Sequence, residues 1–528
     1  MNQKKKLLTA LPFHAAMLAV SVLSPVIFYA TRAMWVFVDN TVKIKGFTFI
    51  LLALMILTAL FYTFNLYLRV YKVKKNDSFI YEMKGYRISF IVFLILTSVL
   101  FIFSLAYSLG IATAESSEVY FLYLKESLPV FAVLTSVGFL SLFSHALSCK
   151  WKKIIISLII IGFSIFTVNS LYPLTPYKIT SHPVVIDNGK EYSVVFSTNR
   201  NGTGYIEYTF EGKNYKIFDQ SGGRLRSDKK IHSIPVPYEH LQNNSYTVSS
   251  TRVIEQYSYG SRRGKTVKSD EYKFSYTDGE NQTFLVISDW HTMLEEAYCA
   301  ISHVGDYDGV ILLGDASPGV DFEEQVVSNV VEFAGEVSKG EKVVLYVRGN
   351  HETRGAYANE LLSSLGLNSF YHTADIGPYS FVILDSGEDK DDSHSEYGGM
   401  TDYNTSRKDM IKWLQGTVVK NDKVIALSHA WEISEVEEDL SQKGFEELDR
   451  LGTRLLLSGH LHECRLIGEE NEKEKKFTEE YPDITAFVDG GKNADNYIAS
   501  KLVLTDNKFV ISSVDKDGNQ VFEKAFKW

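Results

Sequence analysis

Ser288-Asp289-Trp290-His291, Gly314-Asp315, Gly349-Asn350-His351-Glu352, Ser428-His429 and Gly459-His460-Leu461-His462 form a broken ladder in the second half of a 528-residue chain. Most rungs follow a short apolar run: Phe284–Ile287, Val310–Leu313, Val343–Val347, Val424–Leu427 and Leu455–Leu457. Runs of this length, rich in Val, Ile and Leu and ending at Gly or Ser, read as buried strands. The polar rungs therefore fall just past the carboxyl ends of successive strands, where open α/β sheets hold their ligands.

Working outward, the chain is too long for one core and divides into several domains. A mean hydropathy of −0.05 hides two unlike halves. Residues 1–177 are dominated by apolar stretches, and 178–528 have the composition of a soluble protein. The net charge of −10 argues against non-specific nucleic-acid binding. Cys149, Cys299 and Cys464 are too few for a disulfide framework, although a Cys299–Cys464 pair stays open. No stretch repeats at a fixed period.

Five stretches, 7–31, 46–68, 88–114, 127–149 and 154–177, lack Asp, Glu, Lys and Arg. A spanning helix needs about 20 mostly apolar residues, so a five-helix membrane bundle is expected over 1–177. The first stretch is too long for the apolar core of a signal peptide and four more follow it, so it reads as uncleaved. One set of loops carries Lys4, Lys5, Lys6, Arg69, Lys72, Lys74, Lys75, Lys84, Arg87, Lys150, Lys152 and Lys153; the other carries only Arg32, Lys43, Lys45 and Lys125. That asymmetry puts the amino terminus in the cytoplasm and residue 178 onward outside it. The ionisable residues inside the stretches are His14 and His145, which fit an anchor better than a proton relay.

Between the halves, 178–280 alternates short strands (Pro183–Ile186, Tyr192–Ser197, Tyr205–Phe210, Tyr215–Phe218, His232–Val236, Tyr246–Val253, Glu271–Tyr276) with turn clusters such as Asn199-Arg200-Asn201-Gly202. This pattern predicts an all-β sandwich acting as a spacer.

Carboxylates, imidazoles and an amide oxygen, without Cys, suit hard or borderline divalent ions. The ladder resembles the calcineurin-like metallophosphoesterase family, whose blocks run D-x-H, G-D, G-N-H-E/D, a later H, and G-H-x-H. The β stretch resembles the fibronectin III-like module ahead of purple acid phosphatase domains. The resemblance implies an α/β (α+β) four-layer sandwich with mixed sheets over 281–528. It implies two divalent ions (Mn, Fe, Zn or Mg), one held by Asp289, His291 and His462, the other by Asn350, His429 and His460, with Asp315 bridging. His351 would stabilise transition-state charge or protonate the leaving oxygen, and Glu352 would orient His351 or its loop. Attack on phosphorus would come from a metal-bound hydroxide.

The G-D block departs from the family at Pro318, where an acidic residue, or Tyr in the purple enzymes, is usual; a tyrosinate-ligated ferric site is not expected. Arg348 and Arg354 flank the Gly349–Glu352 block and are open to phosphate contacts or to packing. The loop from Leu384 to Lys390 and on through Glu396-Tyr397-Gly398-Gly399, with His394, either shapes substrate choice or is simply solvated. Ile484–Val488, Leu502–Thr505 and Phe509–Ser513 are expected to complete the second sheet, and Gly490-Gly491 to lie near the site.

The expectation is thus a membrane-anchored, outward-facing hydrolase of a phosphate mono-, di- or pyrophosphate ester. Its partners would be the lipid bilayer and a lipid-linked or cell-envelope phosphate. A membrane sensor, scaffold or transport protein with a catalytically reduced phosphoesterase domain is the alternative.

Overall fold

The computed structural model describes residues 176–528, apart from 220–226, 258–259, 469 and 492, with a few scattered positions earlier in the chain. The five apolar stretches lie almost wholly outside the described residues. Among the described residues no helix is long and apolar enough to cross a membrane. The chain forms two compact units: Met1–Pro176 with Val253–Gly264, and Tyr177–Arg252 with Lys265–Trp528. In the first, Trp35–Val36 pairs antiparallel with Ser261 and Arg262. The second contains every rung of the ladder.

Two mixed sheets build the second unit. The first has a parallel centre in the order Val184–Asp187, Val343–Tyr346, Gly309–Leu312, Gln282–Ile287. Ile498–Leu504, Lys508–Asp515 and Gln520–Lys527 extend it antiparallel beyond Gln282–Ile287. At the other edge the long strand Tyr192–Phe210 pairs with Val184–Asp187 and also takes up Lys213–Phe218, Lys229–Val236 and residues 246–252. The second sheet runs His372–Ile376, Tyr379–Ile383, Lys423–Leu427, Thr453–Ser458, Thr485–Val488, Arg465–Leu466, parallel except at its two outer pairs.

Side chains alternate across each strand, and both faces are covered. Phe284 and Val286 enter the core shared with Phe381, Ile425 and Leu457 of the other sheet. Leu285 and Ile287 face the opposite way, onto Ala297, Val326 and Leu361 of the outer helices. Val424, Ala426 and Leu456 likewise pack on Leu414, Phe445 and Phe477 from helices Tyr403–Gly416, Glu438–Arg450 and Glu472–Glu480. Burial on both faces is why these strands read as unbroken apolar runs instead of alternating ones. The result is a helix–sheet–sheet–helix sandwich with mixed sheets, as the resemblance implied.

Two expectations need correction. Residue 280 is not a structural boundary: Val184–Asp187 hydrogen-bonds in parallel to Val343–Tyr346, and 177–252 falls in one compact unit with 265–528. All four residues of Val184–Asp187 are buried, so this strand needs cover on both faces, and the catalytic sheet supplies it. Secondly, of the carboxyl-terminal strands only Thr485–Val488 joins the second sheet. Ile498–Leu504 pairs instead with Gln282–Ile287, closing the open edge of the strand that leads to Asp289.

Candidate metal centre

Each sheet delivers its rungs at the carboxyl ends of parallel strands. Asp289 follows Gln282–Ile287, Asp315 follows Gly309–Leu312, and Asn350 follows Val343–Tyr346. From the second sheet, His429 follows Lys423–Leu427, and His460 and His462 follow Thr453–Ser458. Two glycines permit the loops to close on one another. A Cβ at Gly459 would collide with Ser288 Oγ and Asp289 Oδ2, and one at Gly349 with the Asp315 carboxylate.

Among the described residues, three groups of side chains converge closely enough to hold a metal ion: Asp289, His291 and His462; His291, Asp315 and His351; and Asp315, His429 and His460. Asp289 Oδ1 lies 4.0 Å from His291 Nε2 and 3.8 Å from His462 Nε2. Asp315 Oδ2 lies 3.5 Å from His291 Nε2 and 3.3 Å from His429 Nε2. Ligand atoms about 2.1 Å from one ion stand roughly 3–4 Å apart, so these spacings fit.

Other observations support the fit. Asp289 Oδ1 is buried without a hydrogen-bond partner, although Oδ2 accepts from Ser288 Oγ and from the His460 N–H at 2.9 Å. Asp289, His291, Asp315, His460 and His462 all have positive φ (34–69°), a left-handed backbone that costs non-glycine residues energy. The Asn350 amide faces His429 Nε2 at 3.1 Å and Asp315 Oδ2 at 3.2 Å. With its oxygen inward, three acceptors crowd together, an arrangement that a cation resolves; with its nitrogen inward, it would donate to them.

Neighbouring groups fix which atoms point inward. His429 Nδ1 is 2.7 Å from the Leu313 carbonyl, so Nε2 faces the cluster. His460 Nε2 meets Glu435 at 3.0 Å, leaving Nδ1 inward. Burial pushes the His291 ring below its usual pKa, towards the neutral form that ligates, against the pull of Asp315 and Asp289. Burial opposes charge on His429 too, but Asp315 outweighs it and lifts the ring to about 10. Burial would likewise raise the Asp315 carboxyl, yet the His429 ring holds it well down. The cluster thus draws in positive charge, a proton in the absence of a metal.

Glu352 is fully buried and accepts from the backbone N–H groups of Asp315 (2.9 Å), Ala316 (2.7 Å) and Gly349 (2.8 Å). It ties two ligand loops together and makes none of its hydrogen bonds to His351. His351 is oriented instead by the carbonyl of Pro318, 2.9 Å from Nδ1, which leaves Nε2 3.9 Å from Asp315 Oδ2. The position that departs from the family pattern thus serves through its backbone.

Arg354 sits beside this ring, with Nη1 3.4 Å from His351 Nε2, held by Glu388 and Asp389. Arg348 is spent elsewhere, in a two-pronged pair with Asp385 (3.1 and 2.6 Å) over the Phe370 ring. His394 joins no ligand group; its Nδ1 accepts from the Glu396 N–H, within its own loop.

Sequence reading did not single out Glu435, Glu388 or the anchoring of Trp290. The Trp290 indole, between two ligands, donates to the Asn329 carbonyl at 2.8 Å, in a π-helical stretch Val327–Glu332. Such a bulge frees a carbonyl from the helix ladder. Gly490 does lie near the site, since a Cβ there would sit 3.3 Å from Asp289 Oδ2. Cys299 and Cys464 are both free, so the pair left open does not form.

Fold and site together define a metal-dependent hydrolase. Residues 282–464 match the calcineurin-like phosphoesterase family, and the chain is a metal-dependent phosphoesterase by virtue of that domain. No curated protein matches the chain. Similar solved structures include a conserved uncharacterized protein of Streptococcus pneumoniae, a predicted phosphoesterase, at 15% identity and TM-score 0.24, covering 47% of this chain and 98% of that one. A metallophosphoesterase from Sphaerobacter thermophilus has 15% identity and TM-score 0.22, covering 47% and 89%. GAP50, the anchor in the inner membrane complex of Plasmodium, has 11% identity and TM-score 0.32, covering 47% and 89%.

Proposed function

We propose that the protein is a two-metal phosphoesterase, anchored in a membrane by residues 1–177, with its catalytic unit on the extracytoplasmic side. The observation that carries the two-metal reading is Asp315 Oδ2, which stands between His291 Nε2 at 3.5 Å and His429 Nε2 at 3.3 Å. A carboxylate so placed fits the bridging role. Asp289, His291 and His462 would hold one ion, and Asn350, His429 and His460 the other. The donor set, N and O without S, suits Mn, Fe, Zn or Mg. When bound, such a pair supplies Lewis acidity and an acidified water.

The chain's own residues do the rest. His351, with Nδ1 tied to Pro318, presents Nε2 to the developing charge and carries a proton there for the leaving oxygen. Glu352 holds the Asp315 and Gly349 loops at fixed separation. Glu435 and the Leu313 carbonyl fix the rings of His460 and His429.

Anchorage and sidedness rest on the five uncharged stretches and the basic loop asymmetry, and the bilayer makes a lipid-linked or cell-envelope phosphate ester an attractive substrate. Metal analysis of the full-length protein after chelation and manganese reloading should find two ions per chain and restored hydrolysis. A stoichiometry of one would sink the bridging role of Asp315. Cys299 is exposed. A membrane-impermeant maleimide should therefore label it in intact cells when Cys149 and Cys464 are replaced by Ser, and labelling only after lysis would reverse the orientation.

A further inference from the structure

We infer that the site is built for phosphodiesters and stops at the monoester product, an inference that rests on the phosphoesterase reading above. The cations at the rim of the metal cluster are already neutralised. Arg354 reaches the cluster, with Nη1 3.4 Å from His351 Nε2. Its Nε donates to Glu388 Oε2 at 2.7 Å, and its Nη2 to Glu388 Oε1 at 2.5 Å and Asp389 Oδ1 at 2.9 Å. Lys390, the next cation along, is shared between Asp389 at 3.5 Å and Glu396 at 3.2 Å. Arg354 and Lys390 thus face three carboxylates, so this group of side chains is net negative. Across the cluster, Glu435 lies 3.0 Å from His460 Nε2 and adds a further carboxylate. Arg348 is paired with Asp385 through Nε and Nη2.

The charge and oxygen count of the substrate decide what such a rim accepts. A phosphodiester is a monoanion with two non-bridging oxygens. A phosphomonoester is mostly a dianion near neutral pH and has three terminal oxygens, the third of which needs a cation or donor beyond the metals. Arg354 is where that partner would stand, but it is pinned by two acids, and like charges at the rim disfavour the dianion. In hydrolysis, water oxygen bonds to phosphorus, one P–O ester bond breaks, and the alcohol leaves with a proton. The product is a monoester that the same rim rejects.

The test compares bis(p-nitrophenyl) phosphate with p-nitrophenyl phosphate on the full-length, manganese-loaded protein. The expected result is a kcat/KM at least about a hundredfold higher for the diester, about two decades on the rate scale. Phosphorus NMR should show p-nitrophenyl phosphate accumulating without inorganic phosphate. Asp389→Asn should narrow the preference by about tenfold, one decade on the same scale. Glu396→Gln, at a side chain 60% exposed where folding is not at risk, should narrow it less. Faster monoester turnover, or release of inorganic phosphate, overturns the inference. A diester preference unmoved by both variants overturns the role given to the rim. Hydrolysis of neither substrate with any divalent ion instead removes the phosphoesterase reading beneath it.

Discussion

Among the described residues, two tight clusters contain both Asp and His, and they differ in burial and partnering. At the strand ends, Asp289, Asp315, His291, His429, His460 and His462 gather with a buried carboxylate oxygen unpartnered and five left-handed residues. Inside the β region, fully buried His232 has a partner at each ring nitrogen: Asp219 at Nδ1, and Ser250 Oγ at 3.1 Å and Thr198 Oγ1 at 3.3 Å from Nε2. Asp219 also accepts from Ser227 Oγ and the Gly204 N–H, and Tyr177 OH meets Ser250 Oγ at 2.7 Å. Asp219, His232 and Ser250 even have the connectivity of a hydrolase triad. Partnering separates the two: satisfied and sealed, the inner cluster holds strands together, while the outer one is left needing charge.

That contrast can be broken most sharply at Asp315. Asp315→Asn should lower kcat/KM by about a thousandfold, roughly 4 kcal/mol of transition-state stabilisation, with chemical stability nearly intact. An unfolded variant would instead make the outer cluster structural. At the inner cluster the reverse is expected. Asp219→Ala should cost about 3 kcal/mol of folding stability in denaturant titration, because it strands a buried imidazole, while kcat/KM per folded molecule stays within about twofold. A loss of turnover without a loss of stability would make that network functional.

Glu352→Gln probes the join between cluster and scaffold. Replacing one oxygen that accepts backbone N–H bonds should reduce activity or metal affinity by about 10–100-fold, read by metal titration. A pH-dependent effect concerns His372, whose Nε2 lies 3.1 Å from the Asp187 carbonyl and whose ring burial pushes down to about 4. The unfolded chain takes up a proton below about pH 6.5 that the folded ring refuses until about pH 4, so its contribution to stability falls as pH drops through that window. The stability difference between the wild type and His372→Gln should shift against the wild type by up to about 3 kcal/mol between pH 6.5 and 4. Asp187, raised to about 6 by burial, acts in the opposite sense but is common to both proteins.

The ligands were legible because strand ends advertise themselves. An apolar run followed by Gly or Ser and a polar pair is a local signal, and Asp289, Asp315, Asn350, His429, His460 and His462 all carry it. What supports them is not local. Glu435 comes from a loop with no periodic pattern, Glu388 from an acidic stretch that looks like any solvated loop, and the Pro318 and Leu313 contributions are backbone carbonyls that any residue provides. The strands of 178–280 were visible, but their partners were not. Alternation tells which face a strand buries and is silent on which sheet it joins.

The parallel pairing of Val185 with Val343 has a consequence for how the chain is made. During synthesis at about 5–20 residues per second, the Val184–Asp187 strand leaves the ribosome roughly 8–30 s before its partner exists. For that interval its unpaired row of N–H and C=O groups is open to other chains. A shortened protein beginning at residue 281 would make the same exposure permanent, on the Val343–Tyr346 side. Residue 177, where the compact unit opens, is the better starting point for a catalytic fragment.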